Sequence, residues 1–241
     1  MNYLVTLSYD GSQFHGWAKQ LHVRTVQEEV EKIIKQIFKK DITVYASGRT
    51  DAYVHALAQT FSFKTNKNVL KPKILLKALQ NLAPQDIQFA SVKEVDGMFN
   101  ARFSSKSKTY RYAINLGKPD VFKKDYQFDY DHKLNLPLIK KATKLLVGEH
   151  NFKSFSTSEL EQTTRTIYNI KICKSNKILL IEITGNGFLR NMVRMLVGSL
   201  LDLNEGKKTL NDIKLLLANP KKGSAISKAK ACGLYLVKVK Y

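Results

Sequence analysis

Cysteine is nearly absent from this chain. Cys173 and Cys232 are the two in 241 residues, far apart and outside any metal-ligand spacing. A disulfide-stapled scaffold is excluded, and the five histidines (His15, His22, His55, His132 and His150) are scattered, with no pair four residues apart. No metal site is expected. No apolar run approaches the ~18 residues of a membrane span. The opening MNYLVTLSYDG reads as a strand and has neither the charged region nor the apolar core of a leader, so the expectation is a cytoplasmic chain with no membrane partner. Phosphate-binding loops are also missing: Gly185 and Gly187 begin a dinucleotide-type pattern, but Arg190 stands where its third glycine belongs. Negative charge is scarce too, with 20 Asp and Glu against 40 Lys and Arg.

What is present suits a globular protein: 44% hydrophobic and 10% aromatic residues. The length fits one large domain or two small halves. A formal charge of +20 favours a polyanionic partner, since each neutralised phosphate releases counterions. Lysine supplies most of that charge. The seven arginines (Arg24, Arg49, Arg102, Arg111, Arg165, Arg190 and Arg194) all fall in motif-like blocks, and arginine's planar fork suits phosphate and carboxylate recognition.

Periodicity gives an α/β reading. Residues 3–9 alternate as a strand before the turn Asp10-Gly11-Ser12. Thr25 and Glu28 form a capping box opening a helix whose apolar face is Val26, Val30, Ile33, Ile34, Ile37 and Phe38. Strands are expected at 42–46, 60–64 and 87–95, with a helix from Pro72 between the last two. The order β-α-β-β-α-β is that of a ferredoxin-like unit. A looser repeat follows: strands at 109–116, 166–174, 178–184 and 233–239, and helices at 137–147, 188–203 and 210–218. The junction lies in residues 101–109, giving two halves, 1–104 and 105–241, with a basic cleft between their sheets.

The nine residues GRTDAYVHA, 48–56, place a carboxylate, Asp51, two residues after Arg49 on a turn between strand-like runs. A nearby opposite charge favours the ionised form of a carboxylate, and an ionised, positioned carboxylate is a nucleophile or a base. On the helix expected at 188–203, Arg190 and Arg194 are four apart, so they share a face amid Phe188, Leu189, Met192, Val193, Met195 and Leu196. Arginines in so apolar a stretch need a partner.

The block closely resembles the signature GRTDAGVHA of the tRNA pseudouridine synthase A family. Other segments are similar to that family in order: YDGSQFHGW (9–17), RTVQEEVE (24–31), FNARFSSKSKTYRYAI (99–114), GEHNFKSF (148–155), RTI (165–167), GNGFLRNMVRMLVGSLLDLNEGK (185–207) and the closing GLYLVKVKY. The resemblance implies the pseudouridine synthase α/β fold, two ferredoxin-like (RRM-like) halves with a mainly antiparallel mixed sheet. It implies an isomerase converting uridine to pseudouridine at positions 38, 39 and 40 of the tRNA anticodon stem-loop, without cofactor, acting as a homodimer. Asp51 would be the nucleophile, at the sugar or at the ring, and Arg194 its counter-charge. Arg49 would orient Asp51 or fill the space the base vacates. Tyr110 would stack on the uracil, and Arg190 and Arg102 would contact the RNA. One position departs from the pattern: Tyr53 replaces the family glycine. Either the backbone there is ordinary or the loop is strained. The alternative is a non-catalytic RNA-binding protein of paired ferredoxin-like units, which accounts for charge and fold but not for Asp51 with Arg194.

Overall fold

The computed structural model describes residues 1–66 and 69–241. The chain divides into two compact units, Met1–Lys106 with Tyr235–Tyr241, and Ser107–Leu234.

In the first unit the elements run β1 (Asn2–Tyr9), α1 (Val26–Phe38), β2 (Tyr45–Ala46), β3 (His55–Lys64), α2 (Pro72–Leu82) and β4 (Ile87–Val95). This is the β-α-β-β-α-β order read from periodicity. The sheet order is β4-β1-β3 followed by the chain's last strand, β10 (Leu234–Lys240), with β2 beside β3. The strand β1 lies antiparallel to both neighbours, and β10 lies parallel to β3 with Tyr235 opposite His55. Alternation sends Tyr3, Val5 and Leu7 into the core with Phe61, Phe63 and Phe89, against Val30, Ile34 and Phe38 of α1.

Two readings of this half are corrected. The strand expected at 42–46 shrinks to Tyr45–Ala46, because only these residues pair with β3. The capping box at Thr25 does not form: Thr25 occupies the N-cap position without a side-chain cap bond, and its Oγ1 is buried without a partner. Its hydroxyl faces inward while Gln27 N–H is taken by the Trp17 carbonyl at 2.9 Å. A capping box does occur at Thr209 and Asp212, opening the last helix.

In the second unit β5 (Ser107–Asn115), β9 (Ile178–Gly185), β8 (Thr164–Ser175) and β7 (Gly148–Asn151) form an antiparallel sheet in that spatial order, with β6 (Phe128–Asp129) parallel to β5. Three helices accompany it: α3 (Leu136–Leu146), α4 (Met192–Asn204) and α5 (Leu210–Ala218). The mixed, mainly antiparallel architecture is the one expected. The final strand is not where the halves 1–104 and 105–241 would put it, since residues 235–241 join the first unit.

Helix α4 begins later than residue 188. Asn191 takes a left-handed conformation (φ 63°), which Asn tolerates, and the helix starts at Met192. Arg190 therefore lies before the helix, and the shared face with Arg194 does not exist. Every residue of α4 from Met192 to Leu203 is buried except Arg194. Gly198 permits this packing, as a Cβ there would lie 2.5 Å from the Ser227 carbonyl oxygen.

Candidate active site

The Asp51 loop is built by contacts within the first unit. Asp51, Ala52, Tyr53 and Val54 form a turn in which the Val54 N–H donates to the Asp51 carbonyl at 3.3 Å. Tyr53, the second central residue, has φ 65°, whereas Ala52 stays outside the left-handed region. That is the type II pattern, and it explains why glycine suits this position. Of the two possibilities at Tyr53, the structure takes the strained one. A left-handed residue bearing a Cβ costs about 1–2 kcal/mol.

The segment 9–17 clamps the turn. Buried Tyr9 Oη shares a 2.7 Å hydrogen bond with Thr50 Oγ1. The Trp17 N–H donates to the Thr50 carbonyl (3.1 Å), and the Tyr53 N–H to the Phe14 carbonyl (3.1 Å). Gly16 (φ 93°) lies so close that a Cβ would come 2.7 Å from the Thr50 oxygen. Beneath the loop, Gln59 donates to the Gly48 carbonyl at 2.8 Å and accepts from Ser47 Oγ at 2.8 Å. Sequence reading quoted residues 9–17 as motif letters but missed their task, and passed over Ser47 and Gln59. The glycines at 11 and 16 were the available signal.

His55 belongs to this support. Its ring is buried, stacks on Tyr235 (4.7 Å between centroids), and accepts at Nδ1 from the Gly11 N–H at 3.0 Å. The same Nδ1 lies 3.3 Å from Asp10 Oδ1. Burial pushes the Tyr9 phenol far above its ordinary pKa, outweighing its hydrogen bonds to Thr50 and Gln59, so it stays a neutral donor at any working pH.

Asp51 itself is half-buried and Arg49 is exposed. Arg102 is exposed and lies over the Phe103 ring at 5.3 Å. Arg24 pairs with Asp86 and covers Phe14 at 4.3 Å, bracing the clamp from behind.

In the second unit Tyr110 is 7% exposed on β5 and meets Phe188 edge-to-face, centroids 5.2 Å apart at 83°. Its neighbour two along, Tyr112, is fully buried and donates to the Lys230 carbonyl at 2.7 Å. Arg194 Nε donates to the Ala229 carbonyl at 2.8 Å, and the Ala229 N–H returns a bond to the Arg194 carbonyl at 3.0 Å. This fixes the root of the guanidinium. Arg190 is exposed; its carbonyl, not its side chain, accepts from Thr157 N–H and Ser156 Oγ. Arg165 is half-buried with carbonyl acceptors at Gln162 and Thr164, and burial lowers its pKa from the ordinary value.

Among the described residues no cluster of His, Cys, Asp and Glu could hold a metal ion, and no helix is long and apolar enough to cross a membrane. A family model described as tRNA pseudouridine synthase matches residues 6–104 and 142–241. The chain belongs to that family. The tRNA pseudouridine synthase A of Ureaplasma parvum serovar 3 is 49% identical over 242 residues, covering 100% of both chains. Those of Malacoplasma penetrans and Clostridium acetobutylicum are 47% and 41% identical, covering 100% of this chain and 100% and 99% of theirs. As a member of the tRNA pseudouridine synthase family, this chain is a pseudouridine-forming isomerase with tRNA as its substrate.

Proposed function

We propose that this chain isomerises uridine to pseudouridine at positions 38, 39 and 40 of the tRNA anticodon stem-loop, with Asp51 as the nucleophile. The observation that carries the reading is the clamp on the Asp51 turn: Thr50 is held from two sides and Tyr53 from a third, while Asp51 is only half-buried. A nucleophile needs its backbone fixed and its carboxylate reachable. A surface turn with no chemistry would need neither Gly16 at its back nor a buried tyrosine at its base.

In the reaction the bond from ribose C1′ to uracil N1 breaks and a bond from C1′ to C5 forms. The C5 proton leaves to solvent and N1 gains one, so composition is unchanged and neither oxidant nor energy source enters. The target base first leaves its stack. Asp51 then attacks, at C1′ of the sugar or at the uracil ring. Tyr110 stacks on the uracil, Arg194 is the counter-charge of Asp51, and Arg49 orients Asp51 or occupies the vacated space. Arg102 and Arg190, both exposed, contact the RNA backbone, in keeping with a chain of net charge +20. Two copies of the chain sharing one tRNA complete the reading.

The test is tritium release. Anticodon stem-loops labelled at uracil C5, singly at 38, 39 or 40, should lose tritium to water with the native protein. Asp51→Asn should release none while still retaining tRNA on a filter. Release by carefully purified Asp51→Asn, or none by the native chain, would overturn the proposal.

A further inference from the structure

Two residues beyond Asp51 the turn carries a side chain that its own backbone disfavours. Tyr53 holds a left-handed φ of 65° and yet leaves its ring 49% exposed. Its phenol makes no hydrogen bond among the described residues; the backbone N–H, bonded to Phe14, is what fixes it. Packing therefore does not explain the ring, and the turn would be better served by glycine. Beside it stands a second exposed ring, His15, with centroids 5.9 Å apart and planes at 54°. His15 is itself held by its N–H to the Arg24 carbonyl (2.9 Å) and by Gln20 Nε2 on its own carbonyl (2.7 Å). Two rings on rigidly bonded backbone, next to the carboxylate and open to solvent, form a surface on which a flat apolar ligand can lie. Backbone strain that survives beside a reactive group is commonly part of its working geometry.

We propose that Tyr53, with His15 beside it, is a stacking platform for the base adjoining the reacting uridine, and so a positioning residue for the RNA strand. This rests on the function proposed above. A base swung out of the helix leaves a neighbour without its stacking partner, and an aromatic face replaces that contact whatever the base.

The experiment uses the full chain in the Asp51→Asn background, where binding is read without turnover. The probe is an anticodon stem-loop carrying 2-aminopurine next to the target uridine. Tyr53→Phe should bind as tightly as its parent and quench the probe equally. Tyr53→Leu and Tyr53→Gly should bind about 5-fold or more weakly, the low end for losing one stacked base, and lose the quench. His15→Ala should lose part of it. Tyr53→Gly should melt no lower than the parent, which separates lost affinity from lost folding. Equal binding by all variants, or Tyr53→Leu behaving as Tyr53→Phe, overturns the platform while leaving Asp51 chemistry intact. A parent protein that fails to bind this RNA overturns both readings.

Discussion

Tyr9 Oη and Thr50 Oγ1 lie 2.7 Å apart with both residues buried, joining the end of the first strand to the residue before Asp51. The bond is internal, so water cannot replace it. Tyr9→Phe strands the Thr50 hydroxyl and should cost about 1–3 kcal/mol in denaturant unfolding. Turnover should fall more than tRNA affinity, since the loop rather than the basic surface is disturbed. Because burial holds the Tyr9 phenol neutral, the loss should be the same at pH 6 and pH 9.

Gly16→Ala is the sharper test of the clamp. Its Cβ would come 2.7 Å from the Thr50 oxygen at a φ of 93°, so either the loop or the segment moves. A kcat loss of about tenfold or more is expected with folding retained, and circular dichroism checks the latter. An alanine variant with native kcat would show that the close approach is incidental.

The unpartnered Thr25 hydroxyl gives a stability prediction free of catalysis. Thr25→Val keeps the shape, removes a buried polar atom with no bond, and should be neutral or raise stability by up to about 1 kcal/mol. A working cap would lose about 1 kcal/mol instead. Thermal melts distinguish the signs.

Tyr110 separates ring from hydroxyl. Tyr110→Phe should bind tRNA nearly as well as the native chain, because stacking uses only the ring. A large rate loss in that variant would assign proton transfer to the hydroxyl. Tyr110→Leu should lower activity strongly, and also stability, since the contact with Phe188 goes with it.

Arg194→Met and Arg190→Met should behave differently. Arg194 is anchored at the Ala229 carbonyl on a buried helix, so its loss should cut kcat by orders of magnitude. Arg190 is exposed and off the helix, and its loss should raise KM and flatten the salt dependence of binding by about one phosphate contact. Equal effects on kcat would remove the special role of Arg194.

The elements were legible in this chain wherever apolar spacing was regular. Helix α1 and strands β1, β4 and β9 fall within a residue or two of their expected bounds, because each buries one clean face. Where a hydrogen bond rather than a face decides, sequence said less. Thr25-x-x-Glu28 has the letters of a capping box, but the Thr25 hydroxyl is buried without a bond, and another segment, through the Trp17 carbonyl on the Gln27 N–H, meets the first turn. The apolar run 188–203 hides a break at Asn191, whose left-handed backbone leaves no trace in hydropathy. Asp51 stood out by its signature, yet the residues clamping its turn, Tyr9 to Trp17, sit 34–42 positions earlier, and only folding brings them there.

The strand β10 has a consequence for how the protein is made. Tyr235–Tyr241 close the first unit: Tyr235 stacks on His55, Lys240 accepts from Lys106, and Tyr241 bonds Thr60 at 2.6 Å. The bond between Tyr241 and Thr60 spans 181 positions of sequence. The unit that carries Asp51 therefore closes only after residues 107–234 have been made, and the stretch of β3 that β10 covers waits for its partner until then. Contacts spanning most of the chain also slow the final closure. Deleting residues 235–241 should therefore destabilise the first unit, taking the stacked ring of Tyr235 from His55 a few residues after the Asp51 turn.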